Sequence, residues 1–411
     1  MHLLQNNTSF PVRSIFLFPL WIFLSTLSLL YSNSSFAAAT CVYTYFYIVY
    51  CINKQSSVHI MFLVGYSTFI LFPALLNWYF LGTSFELFFI TTLVSLLFLY
   101  WTKKTVFLPP PDLGITPKLL YLTLGIIIIL LSIFNRSNEI QPLFPFLILL
   151  FSLSLKQDFL IRNALFLIGF IFIFGIYAIT AWSGFGRTVI FSWIIVAFAY
   201  FLYASSINFS KHLFGFVPAL GSVLLSTRDI LSLRFVGFEN ALNDSAFGPY
   251  RRASTFIEYF NERGYDLSGF IDQILFTFLV FIPREIWPSK PFGFGYEYTV
   301  HHLSPSLIKA NHSIASTLIG DHIYYLGYAG VFTSLFILGL LASAINISYR
   351  LKGLNGHGII IFSASMTILT WGGMTSFSAR IFLPAFVFFT LYIILNYPLT
   401  RKIRYVFGRN N

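Results

Sequence analysis

Charge is what this chain has least of. Only 9% of its 411 residues are Asp, Glu, Lys or Arg, against roughly 25% in soluble domains. Cysteine is nearly absent. Cys41 and Cys51 share one apolar stretch and offer neither a disulfide framework nor a metal set. There is no Gly-rich nucleotide loop, no Cys/His metal spacing and no internal repeat. These absences exclude a soluble nucleotide-dependent enzyme, a zinc module and a repeat solenoid, and no cofactor or metal is expected.

What is present in excess is apolar surface. The chain is 57% hydrophobic and carries 51 Phe. That composition predicts an all-α polytopic integral membrane protein. A spanning helix needs about 20 apolar residues at ~1.5 Å rise each. Twelve runs are candidates, the sixth and ninth of them short: 14–31, 36–52, 60–81, 85–101, 119–134, 142–155, 164–182, 188–207, 213–226, 323–347, 359–375 and 381–397. They divide the chain into an N-terminal bundle of about nine spans (1–226), a large loop (227–322), and a C-terminal bundle of about three spans with a basic tail (323–411). The first run, with Arg13 before it and Ala37-Ala38-Ala39 after it, imitates a cleavable leader. Its length, and the span that follows at once, predict a retained helix instead.

Orientation follows from Lys and Arg. With the N-terminus inside, the inner segments hold Arg13, Lys54, Lys103, Lys104, Lys118, Lys156, Arg162, Lys211, Arg350, Lys352, Arg401, Lys402, Arg404 and Arg409. Only Asp112 and Asp158 oppose them. Both termini come out cytoplasmic. The net charge of +11 is scattered between apolar runs rather than gathered on one face, so nucleic acid is not an expected partner. The loop 227–322 falls outside and carries ten of the 14 acids with eight of the 25 basic residues. It reads as a folded cap. Within it, Ile274–Ile282 is apolar but about half a span long. It is either a short interfacial helix ended by Pro283 or a core helix of the cap. The spans hold essentially no ionisable residue away from their ends, which argues against an ion-coupled transporter.

The polar chemistry gathers between Phe281 and Gly330. Pro283, Pro288 and Pro291 stop regular structure there. Arg284 and Lys290 flank Trp287 in a stiff turn. Two cations and a flat ring suit a phosphorylated sugar; the plainer reading is headgroup anchors with an aromatic-belt Trp. Arg187, after Ser183-Gly184-Phe185-Gly186, combines close backbone approach with a phosphate-matched fork, or simply snorkels. Arg251, after Gly248-Pro249, reads first as a solvated charge. Arg380, after Gly372-Gly373 and Ser376-Phe377-Ser378, is a second phosphate clamp or another snorkelling residue. His312, between Asn311 and Ser313, suits proton transfer near neutral pH. Asp321 and Glu297 are carboxylate alternatives. His301-His302 lacks a third ligand, so no metal is inferred.

The block Phe281-Ile282-Pro283-Arg284-Glu285-Ile286-Trp287-Pro288-Ser289-Lys290-Pro291 resembles a signature of the Wzy-type O-antigen polymerases, the oligosaccharide repeat-unit polymerases of bacterial envelopes. His312-Ser313-Ile314-Ala315-Ser316, and Gly320-Asp321 with Tyr324 and Gly327, resemble the segment that follows it in that family. Ser183-Gly184-Phe185-Gly186-Arg187 is similar to the family's small-residue-plus-Arg turn. The family tends to Glu at the place of Asp321. The likeness covers roughly residues 183–330.

The resemblance implies a glycosyltransferase of lipopolysaccharide biosynthesis in the inner membrane, with a periplasmic active face. An acceptor sugar hydroxyl attacks the anomeric carbon of a glycan held on undecaprenyl diphosphate, and the lipid diphosphate leaves. Arg187, Arg284 and Lys290 then neutralise the leaving group, with Arg251, Arg380, Trp287 and Glu297 around the substrate. His312 takes the proton, with Asp321 as its alternative. The implied partners are the undecaprenyl-diphosphate-linked donor and acceptor, membrane lipid and a chain-length regulator protein. O-antigen ligase shares the donor, and a lipid-linked glycan flippase shares the membrane setting. The proline-cation block favours polymerase over ligase, and the lack of two similar halves disfavours a flippase.

Overall fold

The structure is a computed structural model that describes residues 12–31, 34–51, 59, 62–81, 85–102, 168, 172, 248–303, 314–350, 368–382 and 386. Every regular element among the described residues is helical and no strand occurs among them. The all-α expectation therefore holds there. Among the described residues no helix is long and apolar enough to cross a membrane.

The first four apolar runs are helical over their described residues. They form α1 (Val12–Tyr31), α2 (Ser34–Cys51), a π-wound segment Leu63–Leu71 continuing as α3 (Phe72–Leu81), and α4 (Phe85–Trp101). Trp21 of α1 donates through Nε1 to Thr44 Oγ1 of α2 at 2.6 Å. This satisfies both polar groups inside an apolar contact. The runs 119–134, 142–155, 188–207 and 213–226 lie outside the described residues, as does nearly all of 164–182.

The polar module begins with α5 (Gly248–Arg263). Pro249 suits a first turn, where its missing N–H costs nothing. Tyr250, Ala253, Phe256 and Ile257 are buried at helical spacing, while Arg251, Glu258, Asn261 and Glu262 face out. Then come α6 (Leu267–Phe278), the proline turn, and α7 (Phe294–Tyr298) with its π-wound extension Thr299–Leu303. They are followed by α8 (Thr317–Leu326) and α9 (Ala329–Arg350). A helical stretch at 368–377 runs into the π-wound Ser378–Phe382. α8 is the hub: it packs against α5, α6 and α9, and α9 packs against α4. All ten residues of α8 are buried.

Two boundaries differ from the sequence reading. The apolar stretch 274–282 is not one helix. α6 starts seven residues earlier and ends before Leu279. Asp266 caps it, its Oδ1 accepting from Gly269 N at 2.9 Å. Past its far end, Lys290 Nζ donates to the carbonyls of Val280 at 2.7 Å and Ile282 at 2.8 Å, which the break at Pro283 leaves outside a helical ladder. The expected span 323–347 is also split. Gly327 takes φ +59° and closes α8 through its N–H to Ile323 O at 2.8 Å. A Cβ there would meet the Phe260 ring. The expected loop boundary at 322 thus falls inside α8.

Candidate functional site

α8 reads Thr-Leu-Ile-Gly-Asp-His-Ile-Tyr-Tyr-Leu, and it carries polar groups on several sides. Each side chain must therefore find its partner in a different neighbour. Four such partnerships make up the site.

Asp321 points toward 372–374. Its Oδ2 accepts from Met374 N at 2.7 Å, and its Oδ1 is in close contact with Ser316 Oγ. Gly373 opposite sits at φ +68°, and a Cβ on it would run into the carboxylate. Asp321 is 0% exposed. Burial raises its pKa well above the ordinary 3.8, and the Met374 N–H only partly offsets this. Thr317, next to Ser316, adopts φ +65°. Such a conformation costs a β-branched residue about 1–3 kcal/mol. Asp321, a carboxylate alternative for proton transfer by sequence, is here fully buried and ties α8 to 372–374.

His322 points the other way, to α9. Its Nδ1 lies 2.8 Å from Thr333 Oγ1 and 3.2 Å from Ser334 Oγ. Both hydroxyls already donate to Gly330 O, at 2.9 and 2.8 Å. Their remaining capacity toward the ring is as acceptors, so Nδ1 carries the proton. Nε2 then holds a bare lone pair, with no partner among the described residues. Burial pushes the His322 pKa down to about 3, and the Phe270 ring lies edge-on 5.1 Å away.

Tyr324 and Tyr325 bind the module laterally. Tyr324 OH accepts from Arg263 Nη1 at 3.0 Å and lies 2.8 Å from His302 Nε2. The Arg263 guanidinium also donates to Tyr324 O at 3.2 Å and lies 4.2 Å from the ring centroid. His302 sits between Tyr259 and Tyr298, with ring centroids 4.2 and 4.9 Å away. Burial, then the charge of Arg263, lowers its pKa. It is thus a clamped, half-buried imidazole. Tyr325 OH donates to Glu297 Oε2 at 2.9 Å, so Glu297 ties α7 to α8.

The proline turn is clasped by its own cations. Arg284 donates through Nη1 to Lys290 O at 2.6 Å and through Nη2 to Pro291 O at 3.2 Å, and it covers the Phe292 ring at 4.0 Å. The Lys290 ammonium, on the Val280 and Ile282 carbonyls, is buried at 8% exposure. Burial, then the Arg284 charge, lowers its pKa. Both cations, expected at a phosphate or as headgroup anchors, bond backbone carbonyls that a proline-broken chain leaves without amide partners. What the turn offers outward is Glu285, Ile286 and Ser289, with Trp287 half-buried and its Nε1 donating to Ser289 Oγ at 3.1 Å.

No family model, curated protein or solved structure matches this chain.

Of the other expected site residues, Arg251 is exposed on the first turn of α5. Arg187, His312 and the Arg380 side chain lie outside the described residues. Ala315 O, close to His312 in sequence, accepts from Arg252 Nη1 at 2.8 Å. His322, Arg263 and Gln273 carry no sequence signal of a role, and His302 and Arg252, expected as a non-metal histidine and half of a solvated pair, prove to be tied to Tyr324 and Ala315. His302 and Tyr324 are 22 positions apart, on different elements, and no local pattern pairs them.

Proposed function

We propose that this protein is a multi-pass glycosyltransferase of the bacterial inner membrane that polymerises oligosaccharide repeat units at the periplasmic face. The observation that carries the reading is the Phe281–Pro291 block. The residues that resemble the polymerase signature form a closed, self-clasped turn docked on the module. Phe294 N donates to Gln273 Oε1 at 2.9 Å, and Gln273 Nε2 donates to Thr375 Oγ1 at 3.1 Å. A mere headgroup anchor needs no such rigidity.

The membrane setting is supported by composition and by outward-facing apolar side chains. Phe23 and Leu30 of α1, Phe46 of α2, and Phe332, Phe336 and Leu340 of α9 are all exposed. Those on α9 recur at i, i+4 and i+8, a single stripe. Such faces are costly in water and cost nothing in lipid.

In the proposed reaction the acceptor hydroxyl oxygen bonds to the anomeric carbon of the donor. The bond from that carbon to the diphosphate oxygen breaks, and its electron pair leaves with undecaprenyl diphosphate. The hydroxyl proton goes to a histidine, for which His312 is our assignment. Arg187 and the outer arginines balance charge on the leaving group. The Arg284–Lys290 clasp acts before chemistry, by holding Trp287 and Glu285 in place.

Deletion tests the reading. A deletion strain is expected to carry single-repeat glycans on its lipid core. Bare core with polymer still on undecaprenol means a ligase. Lipid-linked units trapped on the cytoplasmic side mean a flippase. Orientation is tested separately: reporter fusions after Lys104, Lys211 and Arg350 should read cytoplasmic, and one after Arg263 periplasmic. A cytoplasmic signal at Arg263 would remove the active face from the periplasm.

A further inference from the structure

α6 has three faces, not two. At about 100° per residue, Leu267, Ile271, Leu275 and Phe278 fall within an arc of about 80°. All four are exposed, Ile271 at 53%. Ser268 and Asp272 continue the exposed arc as a narrow polar edge. The protein side holds Gln273 and Thr277, both buried, with Gly269, Phe270, Ile274 and Phe276. Gln273 spends its amide on Phe294 N and Thr375 Oγ1, and Thr277 Oγ1 donates to Gln273 O at 2.9 Å. Gln273 and Thr277 thus turn inward to their partners, beside Phe270, Ile274 and Phe276, while Leu267, Ile271, Leu275 and Phe278 turn outward. A helix on the surface of a water-soluble domain keeps its outer face polar instead.

The stripe does not end with the helix. Phe281, also exposed, extends it. Its position in height is set by aromatic contacts. Phe278 meets Phe382 at 5.3 Å, and Phe281 stacks on Phe386 at 4.8 Å. Phe382 and Phe386 belong to the apolar run 381–397, at the end the charge pattern places outward. α6 also packs against Ser378–Phe382. The stripe therefore lies level with the outer end of a membrane run, and Asp272 and Ser268 rise from it on one side.

We propose that this stripe is a lipid-facing surface: α6 lies in the outer interface of the bilayer, with Leu267, Ile271, Leu275 and Phe278 in the acyl region. Its polar edge meets water and its third side meets α8. A helix with this division of faces lies in the interface plane with its apolar side some 5–10 Å into the headgroup–acyl boundary. The consequence is positional. The turn Pro283–Pro291 follows α6 directly and is held at headgroup height, where a lipid-linked diphosphate presents itself. The proposal rests on the multi-pass membrane reading above and not on the glycosyl-transfer chemistry.

The test uses the full chain in phospholipid vesicles, with Cys41 and Cys51 replaced by serine. An environment-sensitive fluorophore is placed on Ile271→Cys, Leu275→Cys or Asp272→Cys, one at a time. The first two positions should be quenched by shallow spin-labelled lipid and protected from aqueous iodide. The third should show the opposite ranking. Quenching of Ile271→Cys and Leu275→Cys by iodide would overturn the proposal by placing the stripe in water. Protection from both quenchers would overturn it equally, since a protein partner or second copy would then cover the stripe. All three sites are exposed, so labelling leaves the packed side of α6 intact.

Discussion

Asp321→Ala is expected to cost the folded protein on the order of 2–6 kcal/mol, while Asp321→Asn costs under about 1 kcal/mol. The difference follows from what the carboxyl does. It accepts from Met374 N and meets Ser316 Oγ in a place water does not reach. Alanine abandons two buried polar groups, at about 1–3 kcal/mol each. Asparagine keeps an acceptor for Met374 N and supplies a donor for Ser316 Oγ. The measurement is thermal or denaturant unfolding in detergent.

The pH dependence separates the variants further. Because burial raises the Asp321 pKa above its ordinary 3.8, the native state favours the protonated form. The associated stability is complete below about pH 3.8 and is lost as pH rises through the elevated value. His322 works in the opposite sense. Its folded pKa of about 3 lies below the ordinary 6.5. Its contribution is complete above about pH 6.5 and is lost as pH falls toward 3. Asp321→Asn should therefore flatten the alkaline loss and leave the acid loss in place. An Asn variant as unstable as Ala would refute the tie. A stable Asn variant without polymerising activity would return Asp321 to the chemistry.

Arg284→Ala should lower polymer yield by on the order of 10²-fold, the scale on which misplacing a site by about 1 Å acts. Protein level should stay near normal, because the change frees a surface turn and opens no core cavity. The side chain bonds Lys290 O and Pro291 O through separate nitrogens and covers Phe292. Lysine offers one point charge instead of a planar fork, so Arg284→Lys should restore little. Lys290→Met should behave similarly, because it strips the Val280 and Ile282 carbonyls of their donor. Full-length polymer from Arg284→Ala would show that the turn's geometry does not matter to the activity.

Part of this was legible without coordinates. The runs 14–31, 36–52 and 85–101 lie within a residue or two of α1, α2 and α4, because long apolar segments have little alternative to helix, and α1 continues even through Pro19. The irregular turn around Pro283, Pro288 and Pro291 was equally plain, since proline removes a donor and restricts its predecessor. The split at Gly327 was not. Glycine inside an apolar run is common, and only the fold shows this one at φ +59° with the Phe260 ring where a Cβ would go.

The sequence by itself determined a helical chain, saturated with apolar side chains, with its polar chemistry confined to one block. Composition and periodicity are local properties and need no partner to be read. The tertiary structure alone decided where that polar chemistry is spent. Arg284 and Lys290 clasp backbone instead of facing a ligand, Asp321 ties α8 to 372–374, and His302 is clamped by a tyrosine 22 positions away. It also decided that α6 turns its glutamine inward and its leucines outward. Helical spacing says which side chains share a face, but whether that face meets protein, water or lipid depends on neighbours brought in from distant parts of the chain.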